Sequence, residues 1–339
     1  VQHGIKRVKQ TPEALAAKRA KEQVKIQEFT ALTDDLLRRK LACDYSEEAF
    51  RLTSRLLQLN PEFFTIWNYR RLILLNGLFV DSPSERMFEI LKDELDMTMT
   101  ALRTHPKVYW IWNHRRWCLE AIPHGPGAAG SASHDEWRTA VWTAELRVVE
   151  KMLDADARNF HAWDYRRYCL SSMPVARPET AELDYTSKKI AANFSNFSAW
   201  HQRSKVLPRL WKSGALDEQS SREQEFDLIR NAMYTEPEDQ SVWVYHRWLV
   251  GTRPEKLLLQ REVAAIRELL EEAPNSKWCK ESIVHYNRLF LSLYPSDPTS
   301  GELKGECCAL LKELEIIDPF RVARYRDLGA WRSWGFSHL

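Results

Sequence analysis

The residues of this sequence best placed to do chemistry are cations set beside aromatic rings. Arginine follows tryptophan at a step of three in "IWNYRR", "IWNHRR", "AWDYRR" and "AWHQRS". These stretches give the pairs Trp67 and Arg70, Trp112 and Arg115, Trp163 and Arg166, and Trp200 and Arg203. A guanidinium stacked on an indole can donate several hydrogen bonds at once, to a carboxylate, a phosphate or the free carbonyls of a helix end. Two uses are open to such a row. Arg70, Arg115 and Arg166 can line a basic groove that holds a ligand, or they can tie neighbouring helices together around a buried ring. Residues three and four apart share one helix face, and a buried indole removes a large apolar area from water, so the architectural use is the expected one. Two further copies are less regular. "VWVYHR" sets Trp243 before His246 and Arg247, and "SKWCKES" keeps Trp278 with no arginine behind it.

Other chemistries find little support. There is no HExxH, no CxxC pair and no EF-hand loop, the spacings that metal binding would use. "GPGAAGS" has no following Lys-Ser/Thr and leaves no strand, so it reads as a linker rather than a phosphate loop. The six cysteines are scattered, which suits reduced, buried thiols in a cytoplasmic protein better than a disulfide framework. Cys307 and Cys308 are adjacent and would point in different directions on a helix, as core and boundary residues do. A net charge of +2 gives no strong electrostatic case for nucleic acid. No apolar run approaches the ~18 residues of a membrane span, and no signal-peptide core opens the chain.

The elements that must position these side chains follow from a repeat. The indoles at 67, 112, 163, 200, 243 and 278 are 45, 51, 37, 43 and 35 residues apart, and self-similarity at such a period marks a repeat array. Each unit buries its apolar face against its neighbours, so 339 residues with 44% hydrophobic content need no single globular core. Phe88, Leu91, Leu95, Met99 and Leu102 recur at three- and four-residue steps, an amphipathic helix. The expectation is that each repeat begins with the Trp–Arg helix and continues into such an amphipathic one. Prolines 61, 106, 178, 237 and 254 fall where helices should begin, since a first turn tolerates a missing N–H. No segment shows sustained two-residue alternation. The sequence therefore predicts an all-α fold of about fifteen helices, a right-handed solenoid or crescent of about six helical hairpins. Residues 1–45 form a basic N-terminal arm and first helix, 46–295 the repeats, and 296–339 the closing helices. "PHGPGAAGSASH", residues 123–134, reads as a surface loop that accounts for the longest spacing.

The run of Pro, then Trp, then x-x-Arg in about six hairpins resembles the α subunits of the protein prenyltransferases, over roughly residues 50–290. Tetratricopeptide repeats, by contrast, keep a 34-residue period and another pattern. "HGIKRVK" with the charged helix after it, "RNFHAWDYRRY" and "NSKWCKES" are similar to the Rab geranylgeranyltransferase (type II) branch. Animal members continue into immunoglobulin-like and leucine-rich-repeat domains, and no leucine-rich repeat is visible here, as in a compact fungal-like form or a chain trimmed to its helical domain.

The resemblance implies a heterodimer. A β subunit would hold zinc, the isoprenoid and the protein cysteine, and the zinc-bound thiolate would attack geranylgeranyl diphosphate. The α subunit would scaffold β and help to dock the Rab escort protein, which presents Rab GTPases. It also implies a role for Arg158 in "DARNFHAW", at a position where related α subunits set a cation beside the substrate diphosphate. Two residues later, Phe160 replaces the tyrosine that the resemblance implies and removes a hydroxyl. His3, on the basic arm, reads first as a histidine of a loose tail; the alternative is an imidazole that reaches the open coordination position of the partner's zinc. Otherwise this chain is expected to supply no metal ligand. Two other readings stay open: the α subunit shared by farnesyltransferase and geranylgeranyltransferase type I, acting on CaaX proteins, and a helical-repeat adaptor with no enzymatic partner.

Overall fold

The computed structural model describes residues 11–122 and 132–330, and among them every regular element is helical. His3 and residues 123–131 of the predicted loop lie outside the described residues, and the last three residues of that loop, 132–134, are helical instead. Contacts divide the chain into two compact units, Val1–Ala176 and Arg177–Leu339. In the first, the long α1 (Pro12–Leu41) precedes three hairpins. They pair α2 (Glu47–Leu59) with α3 (Phe64–Ile73), α4 (Ser84–Thr104) with α5 (Tyr109–Ala121), and α6 (Ala132–Ala155) with α7 (Phe160–Ser172). The second unit pairs α8 (Glu179–Ala192) with α9 (Phe197–Lys212) and α10 (Glu218–Thr235) with α11 (Gln240–Val250). It continues with α12 (Lys256–Glu272) against α13 (Lys277–Leu293) and α14 (Ser300–Ile317) against α15 (Val322–Gly329).

The phase of the repeat differs from the sequence expectation. The Trp–Arg helix is the second member of its hairpin: α3, α5, α7, α9 and α11 each fold back on the amphipathic helix before them. The first member presents its apolar stripe, as α2 does with Ala49, Thr53, Leu56 and Leu57. The second members stack on one another, α3 on α5 and α5 on α7 in the first unit, α9 on α11 and α11 on α13 in the second.

Pro178 caps the start of α8 as expected, but three of the other prolines act differently. Pro61, Pro106 and Pro237 stand in the turns before α3, α5 and α11, three residues ahead of each helix. Their carbonyls accept the Nε1–H of Trp67, Trp112 and Trp243 at 2.8, 3.0 and 2.8 Å. Ala157 and Phe194 hold the same position before Trp163 and Trp200 and accept at 2.9 and 2.6 Å. The backbone oxygen of that turn is what the indole needs. The ring suits the turn because it requires no N–H there. Short polar side chains then start several of the helices: Asn159 accepts from the N–H of His161 at 3.0 Å, and Asp239 from that of Ser241 at 2.7 Å.

Candidate functional site

Arg70 shows what the arginine of the motif does. Its Nε and Nη2 fork onto Glu94 of α4 at 2.6 and 2.5 Å, while Nη1 donates to Thr53 Oγ1, Ser54 Oγ and the Phe50 carbonyl of α2. One guanidinium thus joins its own hairpin to the next through charge-assisted bonds. Arg115 repeats the arrangement, with Glu145 of α6 ahead of it and Thr98 and the Leu95 carbonyl of α4 behind. Arg203 does so with Glu225 of α10, and with Thr186, Ser187 and the Leu183 carbonyl of α8. Arg166 is buried as well and pairs with Glu150 at 3.3 Å. Burial opposes the charge of Glu94, but the hydrogen bonds and charge of Arg70, joined by His114, outweigh it and bring the carboxyl down to about 2. Arg70, Arg115 and Arg166 therefore line no ligand groove.

The motif changes in its last two copies. In repeat five the position three after Trp243 is His246, and Arg247 follows it. The imidazole Nε2 meets Glu262 at 2.9 Å and its Nδ1 the Tyr286 hydroxyl at 2.6 Å. Arg247, four after the indole, points to Glu281 instead, at 3.5 Å. Trp278 is buried, and the position three after it is an acid, Glu281.

With the inner arginines committed, a row of exposed side chains remains at the helix starts of the first unit. The first residue of each Trp–Arg helix stands three before its indole and is aromatic and exposed: Phe64 by 51%, Tyr109 by 56% and Phe160 by 67%. Neighbouring rings link them. Phe64 lies 5.3 Å from Trp110, Trp110 5.4 Å from Tyr109, Tyr109 6.2 Å from His161, and His161 4.0 Å from Phe160. Rings connected in this way form an apolar strip at the surface of the unit.

Cations flank the strip. Arg158 does not open α7. It precedes the cap Asn159, its N–H donates to Asp156 Oδ1 at 3.1 Å, and its side chain is exposed. Lys107 holds the same register one repeat earlier, five before the indole, with Nζ 3.1 Å from Asp156 Oδ2. Partial burial would raise the Asp156 carboxyl, but Lys107 and the Arg158 N–H outweigh it and lower it. Lys107 and Tyr109 were missed by sequence reasoning, although their register relative to Trp112 matches that of Arg158 and Phe160 relative to Trp163. Behind the strip, His161, Arg116, Asp164 and Tyr165 border a small pocket. Burial pushes the His161 imidazole down, which keeps it neutral near pH 7.

As for metal chemistry, no group of three or more His, Cys, Asp and Glu side chains among the described residues is placed to hold an ion. Burial raises the thiols of Cys118, Cys279 and Cys307, the last two to about 11, whereas a ligand must be a thiolate.

Hairpins repeating one indole and one guanidinium define a class, the prenyltransferase α-type repeat proteins. The family described as "Protein prenyltransferase alpha subunit repeat" matches at residues 46–77, 91–122, 142–173, 180–210 and 222–253, the five hairpins from α2–α3 to α10–α11. The geranylgeranyl transferase type-2 subunit alpha of Schizosaccharomyces pombe is 39% identical, over 96% of this chain and 97% of its own. That of Dictyostelium discoideum is 34% identical over 96% and 98%. A chain of the solved Candida albicans protein geranylgeranyltransferase-I complexed with GGPP has the same fold, at a TM-score of 0.65 and 20% identity over 90% of each chain. This chain belongs to the geranylgeranyl transferase type-2 α subunits.

Proposed function

We propose that this chain works with a β subunit as a cytoplasmic Rab geranylgeranyltransferase, transferring geranylgeranyl from its diphosphate to C-terminal cysteines of Rab GTPases held by an escort protein. The observation that carries the reading is the likeness of nearly the whole chain to type-2 α subunits from several organisms. The exposed strip supports it, because a subunit that works only in a complex needs an apolar face for its partner. A zinc ion on β supplies a thiolate at neutral pH. The part of this chain is to seat β on Phe64, Tyr109, Trp110 and Phe160 and to set Lys107 and Arg158 beside the diphosphate. Charge grows on that leaving group as its bond to carbon breaks, so a fixed cation stabilises the transition state more than the ground state. His3 is proposed as a ligand reaching the zinc of β from outside the described residues.

Coexpression with β subunits of each class, followed by size-exclusion chromatography and a transfer assay, tests this. The type-2 β subunit should coelute and give transfer to Rab that depends on the escort protein. Coelution with only a farnesyltransferase-type β subunit, or a free-standing monomer beside all of them, contradicts it.

A further inference from the structure

Repeats five and six meet at a corner of the second unit that the activity above does not use. Trp243 and Arg247 of α11, Trp278 and Glu281 of α13, and Arg321 and Arg324 at the start of α15 surround a pocket of about 280 Å³. Cations outnumber acids there. Glu281, almost wholly buried, accepts from Arg324 Nη2 at 2.8 Å and from Arg321 Nη1 at 3.4 Å. Asp318 lies 3.4 Å from Arg321 and also accepts from the Tyr325 hydroxyl at 2.8 Å. Arg247 reaches Glu281 only at 3.5 Å, and its Nε and Nη2 are buried with no hydrogen-bond acceptor. Buried donors left unpaired are costly, above all on a charged group. Burial, with the cations of Arg247 and Arg288 next, pushes the His285 imidazole down to about 4.

The fork of Arg247, held only by a long ion pair to Glu281 and without a hydrogen bond at Nε or Nη2, is planar and matches a carboxylate. The pocket has room for more than an ion, and its indole walls suit methylene groups. Val244 at its lining and Phe320, next to Arg321 in the chain, are exposed apolar side chains. A free anion would leave them in water, whereas a docked protein surface covers them. We propose that this pocket seats an Asp or Glu side chain of the β subunit. The partner rests on the function proposed above, while the seat rests on the surplus of guanidinium groups and on the unpaired donors of Arg247.

The test is subunit exchange of the full-length heterodimer, measured as a dissociation rate at low and high salt. Arg247→Gln and Arg324→Gln should each speed dissociation about tenfold or more and flatten its salt dependence, and Arg247→Gln should do so with the melting temperature of the free chain unchanged. Arg247→Lys keeps the charge without the fork and should recover only part. Glu281→Gln removes the competing internal carboxylate and should slow dissociation. Unchanged dissociation in both Arg247→Gln and Glu281→Gln overturns the proposal and leaves the proposed function standing. Failure of the parent chain to pair with the type-2 β subunit overturns the functional reading, and the partner named here with it. Inorganic phosphate, titrated into the free chain, is the probe for an ion site. Binding that Arg247→Gln abolishes, with exchange unaffected, would make this a small-anion pocket and overturn the proposal.

Discussion

At the position three residues after the indole, repeats one, two and four are closed, while repeat six is left open. Arg70, Arg115 and Arg203 each face an acid on the following helix and a hydroxyl and carbonyl on the preceding one, so their charge is used up within the fold. At the same position repeat six carries Glu281, and the guanidinium groups converging on it come from α11 and the start of α15. One slot of the repeat thus gives a saturated joint in one place and an unsaturated cationic pocket in another. A repeat preserves geometry, but whether a slot holds the fold together or faces another molecule depends on whether its charges are matched inside.

The closed joints should be the easiest to break. Trp112→Ala and Arg70→Met should each cost about 3–5 kcal/mol, the first through lost aromatic packing and the second by leaving Glu94 buried without its cation. Replacing Arg70 and Glu94 together by methionine should cost less than either alone, because no uncompensated charge remains. Denaturant melts check all three variants, and a parental midpoint for Arg70→Met would mean that the joint contributes nothing. Acid should act next. Glu94 titrates near 2 in the fold against an ordinary 4.5, so the unfolded chain takes up the proton first. The contribution of the pair, about 3 kcal/mol, is full above roughly pH 5 and lost as pH falls through this window towards 2. His114, held low chiefly by burial, adds a loss in the same direction that begins near 6.5. Glu94→Gln should flatten the lower part of a stability-versus-pH curve, and an unchanged slope would contradict that account. The smallest effect is expected at the open site. Arg247→Ala should change the stability of the free chain by less than about 1 kcal/mol, since its ion pair is long and partly exposed.

The hairpins were legible in the sequence because a buried indole recurs with a guanidinium one turn on, and few other arrangements use that pair so regularly. The partners of the arginines were not. Glu94, Glu145 and Glu225 follow them by 24, 30 and 22 residues, because linkers and first helices vary in length while the joint in space does not. Phe64, Tyr109 and Phe160 gave no sign of exposure, since an aromatic at a helix start reads as core until the helix is turned to show its face. The Arg–acid inversion at Glu281 stood in the sequence but looked like a worn copy, and only the arrival of Arg321 and Arg324 from a distant segment gives it meaning.

The central claim separates arginines that build from a cation that acts, and Arg158 decides it most directly. Its guanidinium is exposed and carries none of the hairpin joints. Single-turnover geranylgeranyl transfer by the heterodimer should fall by roughly 10- to 100-fold in Arg158→Ala, about 1.4–2.7 kcal/mol on the chemical step. The melting temperature should not move, and Arg158→Lys should recover much of the rate. Transfer at the parental rate in Arg158→Ala would contradict the account and leave this chain a scaffold alone.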